Sequence, residues 1–390
     1  MKEHFEKFLG SGNASDNAND LAAYSYDGSE LSGKARIVLY PSQDEQMRLI
    51  LSYCNRSNID VVIRGNGTNI MGMTIPNQSI VLSTQGFDRV HALNVREQWV
   101  NVDCGVTITE LNEALKEHGY RYPLEPSGKK LTTIGSILAR NGSSRHSQKY
   151  GKAIDTVVGL ELIDGTGKYF TVNKDFEEYL GNEGSALMIL RAKVKIVPIQ
   201  DRSVDIHYFD TLTQALEKIN EVKQLGPLSI ELLDSAAATY AGYNTKHTLL
   251  VEWEGTRGAV QYENYASLMN KRENLRKTLG GAGYILLDDG YAPEEVLLEV
   301  LEWCRNHELP FVCHAGMGII HPFFKREQEA LRDTWCEYLI AHNGQAAGQF
   351  GYGLRKKKYV PAGLKTKVRK LKERYDYNNI LGRGKLYDYI

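Results

Sequence analysis

The sequence predicts an α+β protein of more than one domain, and three observations carry that expectation. Short runs rich in Val and Ile, such as "ARIVLYP", "IDVVIRG" and "HTLLVEWEG", read as strands. Between them lie stretches whose apolar residues recur at helical spacing, such as Met47, Ile50, Leu51 and Cys54. A chain of 390 residues also exceeds one ordinary core, so it divides into domains.

In chain order, a polar lead-in precedes "ARIVLYP", a strand ended by Pro41. Ser42 with Glu45 then forms a capping-box pattern and opens a helix through Cys54. "IDVVIRG" is the next strand, followed by the glycine-rich "GNGTNIMG", the strands "SIVLST" and "WVNVDCG", and a boxed helix start at Thr107 and Glu110 with Ile108, Leu111 and Leu115 on one face. A second segment of glycine and small polar residues, "TTIGSILARNGSSRHSQKYG", leads into a hairpin turning at Asp164-Gly165. The texture changes near residue 204 to strand, helix, strand, and a second domain starts there. Helices from about 293 to 307, 326 to 341 and 364 to 374 complete the chain, with "VCHAGMGIIH" between the first two.

Composition excludes several classes. With 42% hydrophobic residues, 24% charged residues and a net charge of −1, the chain is neither disordered nor a generally basic nucleic-acid binder. The five cysteines are scattered through apolar or helical patterns and read as reduced thiols. The N-terminus lacks an apolar signal core and no run approaches a membrane span, so a cytoplasmic protein is expected. Charge concentrates at the end, where twelve Lys and Arg against three acidic residues from Leu354 onward leave +9. That segment is either a solvated helix face or a docking surface for an acidic partner or an anionic membrane.

The loop "RGNGTNIMG" offers consecutive backbone N–H groups on a segment that Gly65 and Gly67 let approach a ligand closely, which suits a pyrophosphate and equally serves a turn. It is neither the G-x-G-x-x-G dinucleotide fingerprint nor a P-loop.

Taken with the later segments, it resembles the FAD-linked oxidases of the glycolate oxidase and D-lactate dehydrogenase type, within the vanillyl-alcohol-oxidase superfamily with its PCMH-type FAD-binding domain. The family's R-G-x-G-T-x-x-x-G-x-x-x-P matches Arg64 to Pro76, its P-S matches Pro126-Ser127, and its T-I-G-G-x-x-A-x-N-x-G resembles Thr133 to Gly142. Its Y-G, V-x-G-L-E and G-x-E-G-x-x-x-I elements appear as Tyr150-Gly151, Val157 to Glu161 and Gly181 to Ile189. "LAAYSYDGSEL" and "NNILGRGKLY" resemble the family's entry and closing segments.

The resemblance implies a lead-in at 1–34, a two-subdomain FAD-binding domain at 35–200, a smaller α+β substrate or cap domain at 201–345, and a helical segment at 346–390 returning to complete the flavin site. It implies FAD held by Arg64, Gly65, Asn66, Gly67, Thr68, Asn69, Gly72, Pro126, Ser127, Thr133, Gly135, Asn141, Gly142, Gly151 and Ile189. No His or Cys lies between Arg64 and Pro76, and His146 in the second loop is expected to be exposed, so the FAD is expected to dissociate.

In the family, H-x-G-D-G-N-x-H-P supplies two metal-binding histidines and E-H-G-x-G-x-x-K adds a carboxylate ligand and a catalytic histidine. Here His314, Gly316, Gly318, His321 and Pro322 match, but Met317 and Ile319 replace Asp and Asn, and Gln349 and Phe350 replace Glu and His. A neutral amide is a poor ligand for a hard dication, so no tightly held metal is expected. His314 and His321, freed from metal, are the candidates for the base. Arg272 stands where the family often places an arginine for the substrate carboxylate, and is equally an exposed helix residue in "NKRENLRK".

The function implied is a dehydrogenase that moves a hydride from a small 2-hydroxy acid, such as glycolate or D-lactate, to flavin and then to a quinone, a redox protein or dioxygen. The alternative is a flavin-binding subunit, or a reductase of the same fold, whose hydroxy-acid site is lost or changed.

Overall fold

The strand runs assemble into sheets of different character in two compact units. The computed structural model describes residues 1–386 and 388, without the side chains of 261–263. The first unit holds Met1–Gly142, Lys152–Pro198 and the described residues from Phe350 onward; the second holds Ser143–Gly151 and Ile199–Gln349. Ser143–Gly151, which the sequence reading kept with residues 35–200, thus clusters with the second unit. So do residues 346–349, which it placed in the C-terminal segment.

The first unit contains two main sheets. A four-stranded sheet pairs Lys34–Leu39 and Val61–Arg64 in parallel with Asn77–Ser83 between them, and the short Ala14–Ser15 lies antiparallel on one edge. The central strands are buried along most of their length, as parallel strands flanked on both faces are. A five-stranded antiparallel sheet is built on Leu187–Lys195, which pairs with Trp99–Asp103 on one side and Val157–Asp164 on the other.

Helix Ile108–Lys116 opens with the expected box, Thr107 accepting from the Glu110 N–H while the Glu110 carboxylate accepts from the Thr107 N–H. The box expected at Ser42 and Glu45 does not form. Helix Asp44–Ser57 starts after Gln43, the Ser42 N–H donates to Gln46, and Glu45 turns to Arg48 instead. The polar lead-in contains a helix, Lys2–Leu9, that buries Phe5 and Leu9.

The second unit is an eight-stranded sheet in which Arg202–Phe209, His247–Glu254, Ser229–Leu233, Phe311–His314 and Ile319–Phe324 follow in antiparallel order. One end of one sheet face carries Leu233, Leu250, Val312 and Phe323, packed with Ala237 and Ala241 of helix Ser235–Ala241 and Met269 and Leu275 of helix Tyr262–Gly281. Helix Ser235–Ala241 lay outside the sequence reading, and the second was foreseen only as the setting of Arg272; its Tyr265, Leu268, Met269, Leu275 and Leu279 turn one face to this cluster.

The end of the chain is tied into the first unit. The Val61 N–H donates to Ile380 O and the Gly382 N–H to Val61 O, so this segment lies beside the strand that leads into the glycine loop. Burial also thins the basic surface. Lys356, Lys372 and Lys385 are interior, Lys372 donating to Asp376 and to Leu381 O, and Lys385 to Met73 O and Ile75 O.

Burial pushes the Lys385 ammonium down to about 7, against the pull of Asp27 and Glu183. The unfolded chain keeps that proton to about pH 10.4. Between those values the unfolded state binds more protons, so stability rises with pH; below about 7 the full cost of the buried charge is present. Resistance to urea should therefore increase from pH 7 to pH 9, and Lys385→Met should flatten that rise. An unchanged slope in the variant contradicts the assignment.

Candidate functional site

In the first unit, a cleft opens beside the end of strand Val61–Arg64. Of the residues expected to hold a cofactor, Gly65, Asn66, Gly67, Thr68, Asn69, Thr133, Gly135 and Ile189 line it.

The polar side chains of this loop mostly serve the loop itself. The Arg64 guanidinium donates to Tyr26 O at 2.6 Å and to Thr74 Oγ1 at 3.2 Å. Asn69 Oδ1 accepts from the N–H groups of Met71 and Met73, and Asn66 Nδ2 donates to Leu131 O. Gly67 has φ +64°, and a Cβ there would lie 2.1 Å from the Arg64 guanidinium; a Cβ on Gly65 would lie 3.0 Å from Thr133 Oγ1.

What remains unspent is the backbone. Among the described residues, no hydrogen bond uses the N–H groups of Gly65 through Ile70. A run of unsatisfied N–H groups on a glycine loop is a concavity built for an anion. It fits a diphosphate.

The other expected cofactor residues lie off the cleft wall. Gly72, at φ +78°, packs against Leu31, and Asn141 Oδ1 accepts from the Ile154 N–H. Pro126 is the buried start of a turn whose Ser127 is exposed. The Gly142 N–H closes helix Ile134–Ala139 on Ile137 O, and Gly151, at φ +76°, ends the short helix Ser147–Tyr150.

In the second unit, strand register gathers the other candidates. Glu231 pairs with His314 across two strands, His321 pairs with Val312 one strand further, and cross-strand partners share a face. The two imidazoles stand edge to face with centroids 4.9 Å apart, and both are buried.

Glu231 is the residue the sequence reading missed. One carboxylate oxygen meets His314 Nδ1 and the other accepts from Arg272 Nε. Burial opposes its charge, yet Arg272 and His314 hold its carboxyl well below the usual range. The signal was an acid inside the apolar run "SIELLD". Arg272 is buried, not an exposed helix residue, and its terminal nitrogens make no hydrogen bond among the described residues.

His314 Nε2 lies 3.2 Å from Gln349 Oε1, and the Gln349 amide donates to Ser143 O at 3.0 Å. Burial pushes His321 down to about 3, with His314 adding to the effect. It is neutral at pH 7.

Glu252, one diagonal step from Glu231 on the next strand, accepts from Ser229 and faces Arg145 and His146. His146, expected to be exposed, is fully buried beside that carboxylate. Burial lowers its pKa in spite of Glu252. Among the described residues, no group of three or more His, Cys, Asp or Glu is disposed to hold a metal ion.

Two outcomes follow from this geometry. Gly67→Val meets both a left-handed backbone and the Arg64 guanidinium, so the purified variant should lose bound flavin while keeping its far-ultraviolet circular dichroism. Flavin retention at the wild-type level contradicts the assignment of this loop. Gln349→Glu adds a carboxylate beside His314 Nε2 and should raise affinity for zinc or manganese about tenfold by calorimetry. Unchanged affinity means that the histidine pair is closed to metal by something other than the missing charge.

Comparison with known proteins locates these features. Residues 35–173 match the family described as FAD binding domain. Over 453 aligned residues the chain is 24% identical to glycolate oxidase subunit GlcD of Bacillus subtilis, covering 99% of this chain and 96% of that one. It is 24% identical to D-lactate dehydrogenase of Archaeoglobus fulgidus, covering 90% of this chain and 91% of that one. In fold it is similar to a solved alkyldihydroxyacetonephosphate synthase, at 15% identity and a TM-score of 0.73 over 97% of this chain and 83% of the other. The chain is an FAD-dependent oxidoreductase related over nearly its whole length to glycolate oxidase subunits and D-lactate dehydrogenases, with its FAD binding domain at residues 35–173.

Proposed function

We propose that the protein oxidises a small 2-hydroxy acid, such as glycolate or D-lactate, by hydride transfer to FAD. One observation carries the reading. Arg272 is buried and anchored through Nε to Glu231, while its terminal nitrogens stay available. An arginine fixed on one side and open on the other binds a carboxylate bidentately.

FAD supplies the hydride acceptor, and the protein supplies orientation and charge. The unspent N–H groups of Gly65 through Ile70 would hold the diphosphate, with Thr133 and Gly135 on the adjoining wall. In the second unit the substrate carboxylate sits on Arg272, and Glu231 keeps that guanidinium and His314 in place. The hydroxyl proton goes to His321 or His314. His321 is neutral at pH 7 but, with its pKa pushed to about 3, a weak base. General-base catalysis is typically worth about 10²–10⁴-fold when the base is matched to the working pH. Phe350 offers no proton acceptor at the neighbouring position.

The electron acceptor is a quinone, a redox protein or dioxygen. The site of action is the cytoplasm, and the exposed cations of helix Ala362–Tyr375 are a contact for an acidic partner or an anionic membrane surface. No helix among the described residues is long and apolar enough to cross a membrane.

The test is anaerobic bleaching of the flavin by a panel of D- and L-2-hydroxy acids and by NADH and NADPH. At least one hydroxy acid should bleach it, and Arg272→Ala should raise the concentration needed by about tenfold or more, the scale of a lost charge-assisted hydrogen bond. Bleaching by NADPH alone contradicts the reading in favour of a reductase. No bleaching by any donor favours a flavin subunit without its own donor site, consistent with Gln349 and Phe350.

A further inference from the structure

The far end of the glycine loop rests on a lysine from the other end of the chain. Lys385 belongs to the segment that returns to the first unit, is buried, and donates to Met73 O at 2.5 Å and to Ile75 O at 2.7 Å. Those carbonyls flank Thr74, and Met73 and Thr74 both line the cleft. Arg64 reaches the same residue, donating to Thr74 Oγ1, while its guanidinium lies against Gly67 in the run of unspent N–H groups. The two cations together underlie the loop from Gly67 to Ile75.

Two carboxylates offset them. Asp27 accepts from the Thr74 N–H at 3.2 Å and from the Thr74 hydroxyl at 3.1 Å. Glu183, on the cleft wall, accepts from the Tyr352 N–H at 2.7 Å and the Gly353 N–H at 2.9 Å. Asp27, Glu183 and Arg64 are the charged groups that act on Lys385. With the lysine protonated, two cations and two anions balance. With it neutral, one negative charge is left over beneath a loop suited to a diphosphate. A neutral amine still has two N–H groups for the two carbonyls, so losing the proton removes charge and not the clamp. Burial pushes Lys385 down to about 7 in spite of Asp27 and Glu183, so the flavin-free protein holds this proton loosely near neutral pH.

We propose that Lys385 couples cofactor binding to proton uptake: the diphosphate brings negative charge to the loop, and the amine beneath it takes a proton from solvent to meet that charge. The flavin-loaded protein then carries more bound proton than the flavin-free protein and free FAD together. By linkage, each ligand favours the other. Above about pH 7 the flavin-free protein has lost the proton and must regain it on binding, so FAD affinity falls as pH rises from there. Each unit by which binding raises the pKa corresponds to about a tenfold fall. The inference is independent of which substrate is oxidised.

The test counts protons. Flavin-free protein is titrated with FAD at about pH 8 by calorimetry in two buffers of different ionisation enthalpy, and the difference in heat gives the protons taken up. The wild type should take up a large fraction of one proton, and its FAD affinity should fall about tenfold from pH 6 to pH 9. Lys385→Met should take up none and bind FAD with little dependence on pH. Lys385→Arg, charged throughout this range, should also take up none, yet bind FAD more tightly than Lys385→Met at pH 9, which separates charge from packing. FAD binding by the wild type without proton uptake overturns the inference, and that measurement needs no variant. So does an equal pH dependence in Lys385→Met, which would assign the proton to another group.

Discussion

The site depends on a loop that spends its side chains on itself and leaves its backbone unspent. Arg64, Asn66 and Asn69 all turn to carbonyls, hydroxyls or amides of the surrounding chain, and they hold Gly65 through Ile70 in a curve whose N–H groups have no internal acceptor. Buried or half-buried donors without partners are costly. A bound anion would supply those N–H groups with acceptors and remove that cost. The C-terminal chain contributes at a distance by pairing with Val61 and by placing Lys385 under the carbonyls of Met73 and Ile75.

The second unit solves a different problem with the register of a sheet. The same face is apolar where helices Ser235–Ala241 and Tyr262–Gly281 cover it and polar where Glu231, Glu252, His314 and His321 come together. Two buried carboxylates are tolerable there only because each faces cations: Arg272 beside Glu231, and Arg145 with Arg202 beside Glu252.

The strands, the boxed helix at Thr107 and the glycine loops were legible because each rests on local rules of alternation, capping or backbone freedom. The histidine segment was legible as a motif but not as a hairpin, since its two strands pair only in the context of the sheet. Glu231 and His146 escaped because their roles depend on long-range partners, His314 and Glu252, that no spacing in the sequence predicts. The extent of helix Tyr262–Gly281 escaped because a buried charge, Arg272, interrupts the face that carries Leu268, Met269, Leu275 and Leu279, and the box at Ser42 misled because Glu45 had a better partner in Arg48. The basic tail was overcounted, as composition cannot tell a surface lysine from Lys356, Lys372 or Lys385 in the interior.

The central claim is that the backbone of Gly65 through Ile70 recognises a diphosphate. Adenosine and ADP differ only in that group, so their competition against bound FAD isolates it. Two charge-assisted hydrogen bonds at about 1.5 kcal/mol each correspond to at least a hundredfold. The account expects ADP to displace FAD at concentrations at least about a hundredfold lower than adenosine, as followed by recovery of flavin fluorescence. Displacement by both at similar concentrations would contradict it.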